Sequence, residues 1–244
     1  MNRVVPTLAL FLFLAFGATA QTTNGLSQAQ IQGQQLAQEL LSVAPVTNFT
    51  QTGILSIRNK AGTTTNVPLV INTTTGIGYW ATSYPVGGIL LTIIHQDGLT
   101  NQYRWTSITP PRSMPPNDYH TLGEVQITAP FANSDFWICD LGLEFFHWPQ
   151  QKVLKHETRR TRACAVLEST NPHPSPGGYS KVVSWIDDET LGIVHAQAYD
   201  AKGKLLKEFD PKSFKKVNGQ WELQDMEIQN VQTRSRTWIK FDLK

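Results

Sequence analysis

The stretch from Tyr179 to Lys244 constrains the fold most, because apolar and polar residues alternate along it in runs broken by short turns. Tyr179-Ser-Lys-Val-Val-Ser-Trp-Ile-Asp187 and Trp238-Ile-Lys-Phe-Asp-Leu-Lys244 are two such runs. A repeat of two sends successive side chains to opposite faces of a sheet. Asn218-Gly219 has the residue types of a two-residue hairpin turn, since both tolerate positive φ. Asp200-Ala-Lys-Gly203 and Asp187-Asp-Glu-Thr-Leu-Gly192 read as further turns. The expectation is a series of antiparallel strands, and a sheet that long must bury one face against something.

The other end of the chain reads as a targeting segment. Arg3 supplies a positive start, Leu8 to Phe16 is apolar, and Ala18-Thr19-Ala20 fits the small-x-small rule for cleavage after Ala20. The apolar run is too short for a membrane span, and no cysteine sits at the cut to take a lipid. Residues 1–20 are therefore expected to be a signal peptide. Residues 21–244 are expected to form one exported, periplasmic, soluble domain. The formal net charge of +2 gives no argument for nucleic acid. Two cysteines in an exported chain suggest a disulfide between Cys139 and Cys164, with two free buried thiols as the alternative.

Leu26 to Val43 is the best helix: Ser27 and Gln30 form a capping box, Ile31, Leu36, Leu40 and Leu41 mark an apolar side, and Pro45 ends it. Such a helix can cover the open side of a curved sheet. Strands are expected over 53–58, 65–71, 77–82, 88–95 and 102–106, with Pro68 marking an edge or a bulge. Gly88 to His95 is almost continuously apolar, which suggests burial on both faces or contact with an apolar filling. A proline loop over 108–118 follows.

Ser134 to Trp148 is different. It is rich in aromatics and leucines, with only three acids, and it is too apolar for an exposed loop. We read it as a short helical lid in which Trp137, Leu141, Leu143, Phe145 and Phe146 cover an apolar hollow. Ile89, Leu91 and Ile93 would be its wall, with Tyr79 and Trp105 as further lining. Strands resume at 151–157 and 160–168, and the terminal series follows the loop Asn171–Gly178. About eleven strands result, a mainly-β (α+β) chain whose accumulated twist should roll an antiparallel sheet into a half-open barrel.

No motif of an enzyme is present: no Gly-x-Ser-x-Gly, no His-Glu-x-x-His and no glycine-rich phosphate loop. The six histidines have no metal-ligand spacing, so neither metal nor cofactor is expected. Cys139 and His147 are close enough in sequence to consider as a nucleophile pair. Tyr79, Trp80, Tyr103 and Trp105 are expected as core or cavity lining before sugar-stacking platforms. Three functions are therefore open: an acyl-chain carrier, a hydrolase or lipid-modifying enzyme in the same pocket, and a structural envelope protein that binds other proteins.

The chain also resembles a known family. Ser134-Asp-Phe through Asp140-Leu141, Val182-Val-Ser-Trp-Ile-Asp187, Tyr199-Asp-Ala-Lys-Gly-Lys-Leu-Leu-Lys207 and Trp221 to Asp242, with Met226-Glu-Ile-Gln-Asn230 and Thr233-Arg-Ser-Arg-Thr237, are similar to LolA/LolB-type lipoprotein carriers. The likeness covers roughly residues 26–244. It implies an unclosed barrel whose apolar hollow shields acyl chains of a lipid or lipoprotein. It also implies an inner-membrane transporter as donor, an outer-membrane acceptor, and a monomeric carrier. Without a lipid-anchoring cysteine, the chain resembles the soluble carrier of such a pair.

Overall fold

The computed structural model describes residues 25–108, 118–217 and 219–243. The expected signal peptide, the four prolines of the 108–118 loop and Asn218 lie outside them. Helix α1 (Gln28–Ser42) begins as its sequence dictates. Ser27 Oγ accepts the Gln30 N–H at 3.3 Å and Gln30 Oε1 accepts the Ser27 N–H at 2.9 Å. It ends one turn before Pro45, with the Val43 N–H on the Leu40 carbonyl.

The strands are β1 (Phe49–Arg58), β2 (Thr64–Gly76), β3 (Tyr79–Val86), β4 (Ile89–Gln96), β5 (Gln102–Ser107) and β6 (His120–Thr121). After an insertion come β7 (Gln150–Arg159), β8 (Arg162–Thr170), β9 (Tyr179–Asp187), β10 (Ile193–Asp200), β11 (Leu205–Val217), β12 (Gln220–Asn230) and β13 (Ser235–Phe241). They form one curved, open antiparallel sheet in the order β6-β5-β4-β3-β2-β1-β13-β12-β11-β10-β9-β8-β7. Among the described residues thirteen strands stand where about eleven are expected; the two-residue β6 carries no sequence signal of its own. The β11–β12 hairpin pairs out to Val217 and Gln220, with Gly219 at φ +86°. Pro68 lies in the stretch where β2 pairs with β1 alone, since β3 joins only from Asn72 onward. It is thus on a local edge.

The order of strands carries the main consequence. β6 and β7 follow one another in the chain yet lie at opposite edges of the sheet. The segment 122–149 must therefore cross from edge to edge, and it does so over the concave face. Leu55, Leu69, Leu91, Ile93, Leu167, Val182, Phe209, Ile228 and Ile239 form the inward row of that face, and they pack with Phe131, Phe136, Phe145 and Phe146 of the insertion. Outward neighbours on β4 (Leu90, Thr92 and Ile94) are only half-buried, so the apolar run of β4 meets an apolar filling on one face and is not buried on both.

Alternation also settles the cysteines, and it overturns the disulfide. On β8, Leu167 points inward, so Cys164 and Val166 point outward, where they pack with Val183 and Trp185. Cys139 belongs to the insertion, inside the hollow. The sheet lies between them, and both are free and buried.

Helix α1 lies along the edge strand β7, which shields its unpaired side. The approach is very close: a Cβ on Gly33 would sit 2.4 Å from the Lys152 backbone nitrogen. In an uncrowded helix Gly→Ala stabilises by about 1 kcal/mol. Here the methyl group must push α1 off β7, so Gly33→Ala is expected to lower the melting temperature measured by circular dichroism. A rise instead would show that α1 does not dock at this position.

Candidate functional site

The insertion is a chain of short turns: 3-10 segments at Gln126–Thr128, Phe131–Asn133 and Glu144–His147, with helix α2 (Ile138–Leu141) between them. Its four phenylalanines fill the hollow, each 3–4% exposed. Phe131 meets Tyr84 edge-on at 5.5 Å, and Phe145 meets Phe146 at 4.5 Å. The backbone is bent hard to achieve this. Ala132 (φ 50°) and Leu143 (φ 49°) adopt left-handed conformations that suit neither residue.

Of the expected cover residues, Phe145 and Phe146 lie deepest, while Trp137 and Leu141 are half-buried against the core. Leu143 is 40% exposed at the left-handed turn. Of the expected wall, Leu91 and Ile93 face the hollow. Ile89 belongs to the same row but lies at its open end, 37% exposed. Trp105 pairs with Leu91, shares its face and stacks on His120 at 4.6 Å. Tyr79 does not line the hollow: it is on the opposite face, and its neighbour Trp80 takes the inward position, stacked on His95 at 3.7 Å. A slip of one residue exchanges the two faces of a strand.

Sequence reasoning missed what the three acids do: each fastens the insertion to the sheet. Asp135 accepts from the Thr237 hydroxyl at 2.9 Å and from Ser235, both on β13. Asp140 is buried against β9 and β11, where it accepts from the Tyr179 hydroxyl at 2.9 and 3.1 Å and from Lys207 Nζ at 3.2 Å. It also receives the Trp137 backbone N–H at 2.7 Å. The Trp137 ring stacks on Tyr179 (4.4 Å) and lies 3.7 Å from Lys207 Nζ. Glu144 binds the other half of the sheet, accepting from Tyr103 at 2.8 Å and Asn101 at 3.1 Å. Burial pushes the Asp140 and Glu144 carboxyls upward and the Lys207 ammonium downward; the Asp140–Lys207 attraction opposes the shift at both ends of that pair. The available signal was acids in a segment too apolar to be exposed: buried acids require partners.

Cys139 is held as a thiol. Burial pushes its pKa up and the neighbouring Asp140 carboxylate adds to this, the reverse of what a nucleophile needs. Among the described residues no group of three or more acids, cysteines or histidines is placed to hold a metal ion.

Beneath the insertion the hollow is packed, and open space lies to either side of it. A cavity of about 590 Å³ opens between α1, the β4–β5 turn and the end of the insertion. Ala37, Leu41, Trp80, Leu99, Phe146 and Trp148 are among its apolar lining residues. Its volume is that of a small-molecule site. A second cavity of about 330 Å³ lies beside Trp137, Lys207 and Asp135. Burial lowers the pKa of His95, on the wall of the first, to about 4.

A protein-family profile described only as "-like: Uncharacterized protein" matches residues 123–243, the insertion and the strands after it. No curated protein matches the chain. Among solved structures, an outer membrane lipoprotein-sorting protein domain from Vibrio parahaemolyticus superposes with a TM-score of 0.70 at 21% identity, covering 88% of this chain and 92% of that one. A DUF1329 family protein from Desulfovibrio piger gives 0.69 at 18% identity over the same shares, 88% and 92%. A LolA superfamily protein from Nitrosomonas europaea gives 0.59 at 14%, again over 88% and 92%. The chain therefore has the LolA-like fold, the curved open sheet shared by LolA superfamily proteins and outer membrane lipoprotein-sorting domains.

Proposed function

We propose that this protein is an exported, periplasmic carrier that shields acyl chains of a lipid or lipoprotein in the hollow of its half-barrel, without covalent chemistry. The observation that carries the reading is what fills the hollow. Its contents are four phenylalanines from a separate segment, laid against an apolar sheet face. Each CH₂ of an acyl chain that enters such a space contributes about 0.8 kcal/mol. An acyl chain can thus replace the phenylalanines at small net change in buried apolar area. The left-handed Ala132 and Leu143 support the same reading, because residues so strained cost about 1–3 kcal/mol each and give up that cost when the segment moves. The cavity beside α1 is the point of entry, since Phe146 stands at its inner wall. The LolA-like fold agrees with this use. Donor and acceptor would be membrane components on either side of the periplasm.

The test is an acyl-chain fluorophore titrated into the mature protein, together with mass spectrometry of lipids retained by protein from its own envelope. Leu41→Asp puts a charge on the cavity wall from the half-buried side of α1. It is expected to weaken probe binding ten-fold or more with an unchanged circular dichroism spectrum. Unaltered affinity in Leu41→Asp would remove the entry site, and a mature protein that neither binds the probe nor retains lipid would remove the carrier reading.

A further inference from the structure

Large apolar side chains stand exposed at one end of the half-barrel, on segments that antiparallel pairing brings to the same end. Val46 lies in the loop from α1 to β1, and Phe49 opens β1. Ile77, between Gly76 and Gly78, is the tip of the β2–β3 turn, and Leu99 belongs to the β4–β5 turn. Phe214 and Trp221 lie on the β11–β12 hairpin, in the part that pairs with neither β10 nor β13. All six are exposed, and Val46 and Ile77, at 94% and 103%, stand wholly in solvent. Hydrogen bonds join these segments into one rim. The Asp97 N–H donates to the Gly78 carbonyl at 3.3 Å, and the Thr75 N–H donates to Asn48 Oδ1 at 2.8 Å. The Asp242 N–H donates to the Thr52 carbonyl of β1 at 2.9 Å, and Lys215 of the hairpin donates to the Leu243 carbonyl.

Turns are ordinarily built of glycine, proline, asparagine, aspartate and serine. Three turns at the opposite end are polar, with Lys60, Lys202 and Arg234 exposed on the β1–β2, β10–β11 and β12–β13 connections. The apolar tips contribute nothing to the packed core, which includes neither Val46 nor Ile77. An apolar patch held in water marks a surface that something covers. Its shape says what does so. The tips project separately, with Thr47, Asn48 and Thr75 exposed or half-buried between them. A protein partner covers apolar groups through close shape complementarity. The boundary between lipid headgroups and acyl chains takes up separate projecting side chains without matched pockets. Trp221 has Lys216 as its cross-strand partner, and a tryptophan beside a lysine suits that boundary. Asp97, Glu222 and Asp242 stand with Lys215, Lys216 and Lys240 around these turns, so neither sign of charge predominates.

We propose that this rim docks on the surface of a lipid bilayer, with Val46, Ile77, Leu99, Phe214 and Trp221 entering the headgroup boundary. The proposal rests on the carrier reading and gives it an orientation. Leu99 also lines the cavity of about 590 Å³ beside α1, so docking brings the mouth of that cavity to the membrane. An acyl chain then passes between bilayer and hollow without crossing bulk water.

The experiment floats the mature protein on phosphatidylcholine vesicles, and on vesicles of phosphatidylcholine mixed with phosphatidylglycerol. The parent is expected to bind both alike and to stay bound in high salt. Ile77→Asp and Val46→Asp change separate tips, and each is expected to weaken vesicle binding about ten-fold. Circular dichroism and binding of a monomeric acyl-chain fluorophore should not change, since neither residue lines the cavity. Lys60→Ser, at the opposite end, should bind vesicles as the parent does. A parent that leaves vesicles free, or tip variants that bind them as the parent does, would overturn the docking surface; retained fluorophore binding would leave the carrier reading standing. Binding only to the phosphatidylglycerol vesicles, and lost in salt, would overturn it too. A parent that ignores vesicles but dimerises, with Ile77→Asp monomeric, would assign the surface to a second copy of the chain instead. Vesicle binding without fluorophore binding would keep the surface and remove the carrier reading.

Discussion

Lys207→Met is expected to lower the melting temperature by about 10 °C, the largest effect of any single substitution we consider. Lys207 is completely buried, and its ammonium lies 3.2 Å from Asp140 Oδ2. Methionine fills similar space but strands the carboxylate in the core, and removing one member of a buried ion pair costs about 3–5 kcal/mol. At this chain length each kcal/mol is worth about 2–4 °C. The remedy distinguishes a stranded charge from lost packing. Asp140→Asn removes the charge, yet its side-chain oxygen can still accept from Tyr179 and the Trp137 N–H. The double variant Lys207→Met/Asp140→Asn should therefore recover more than half of the loss. The sign with pH agrees: burial already raises the Asp140 pKa, and removing Lys207 raises it further. A group with a raised folded pKa favours folding below its unfolded pKa and loses that contribution as pH rises through the folded one. The deficit of Lys207→Met should thus shrink from pH 7 to pH 5. Single and double variants that melt together at both pH values would show that the pair does not hold the insertion.

In the carrier reading proposed above, this pair also bears on how the hollow would open. The insertion is fastened to β9, β11 and β13 through Asp135 and Asp140, and to β5 through Glu144. The β5 attachment uses one half-exposed carboxylate, whereas the other side uses two buried ones. Asn101, which donates to Glu144, also lines the cavity where Phe146 stands. Opening should therefore begin at the β5 side, with the Asp140–Lys207 contact as the hinge that keeps the segment attached.

How far the sequence discloses this arrangement depends on the range of the interactions involved. Helix α1 is legible to within two residues, because Ser27, Gln30 and Pro45 act on neighbours in the chain. The terminal strands are legible because their alternation and turns are local too. Placing the insertion over the concave face is legible from composition, since Phe145 and Phe146 cannot stay in water. What fails is anything that needs register or edges. Tyr79 and Trp80 are both aromatic and follow a turn, so only pairing with β4 decides which faces inward. Cys139 and Cys164 look like partners until β8 is given a face. The crossing from β6 to β7 requires β1 to pair with β13, the longest-range contact in the sheet. The partners of the three acids are likewise distant in sequence. Lys207 did leave one trace: two residues from Phe209 on one strand, it must share that residue's inward face.

Acidification from pH 6.5 to pH 4 is expected to destabilise the fold by up to about 3 kcal/mol through His95 alone. Burial lowers its pKa from 6.5 to about 4, with Asn101 offsetting part of the shift and His147 adding to it. Because the folded value is depressed, the folded state prefers the neutral ring. That contribution is whole above pH 6.5, where the unfolded chain is also neutral. It is lost as pH falls toward 4, because the unfolded chain takes up the proton first. At 1.36 kcal/mol per pKa unit the interval sets the upper bound of about 3 kcal/mol. Asp140 and Glu144, raised by burial, act in the opposite sense over the same range, so the parent's pH profile mixes both. The difference between parent and His95→Phe isolates the histidine: phenylalanine retains a ring against Trp80 and cannot titrate. Urea unfolding at pH 7 and pH 4.5 should show the parent losing markedly more stability than His95→Phe. Equal losses would mean that His95 accepts its proton as readily folded as unfolded, which would place its ring in water and not against the cavity wall.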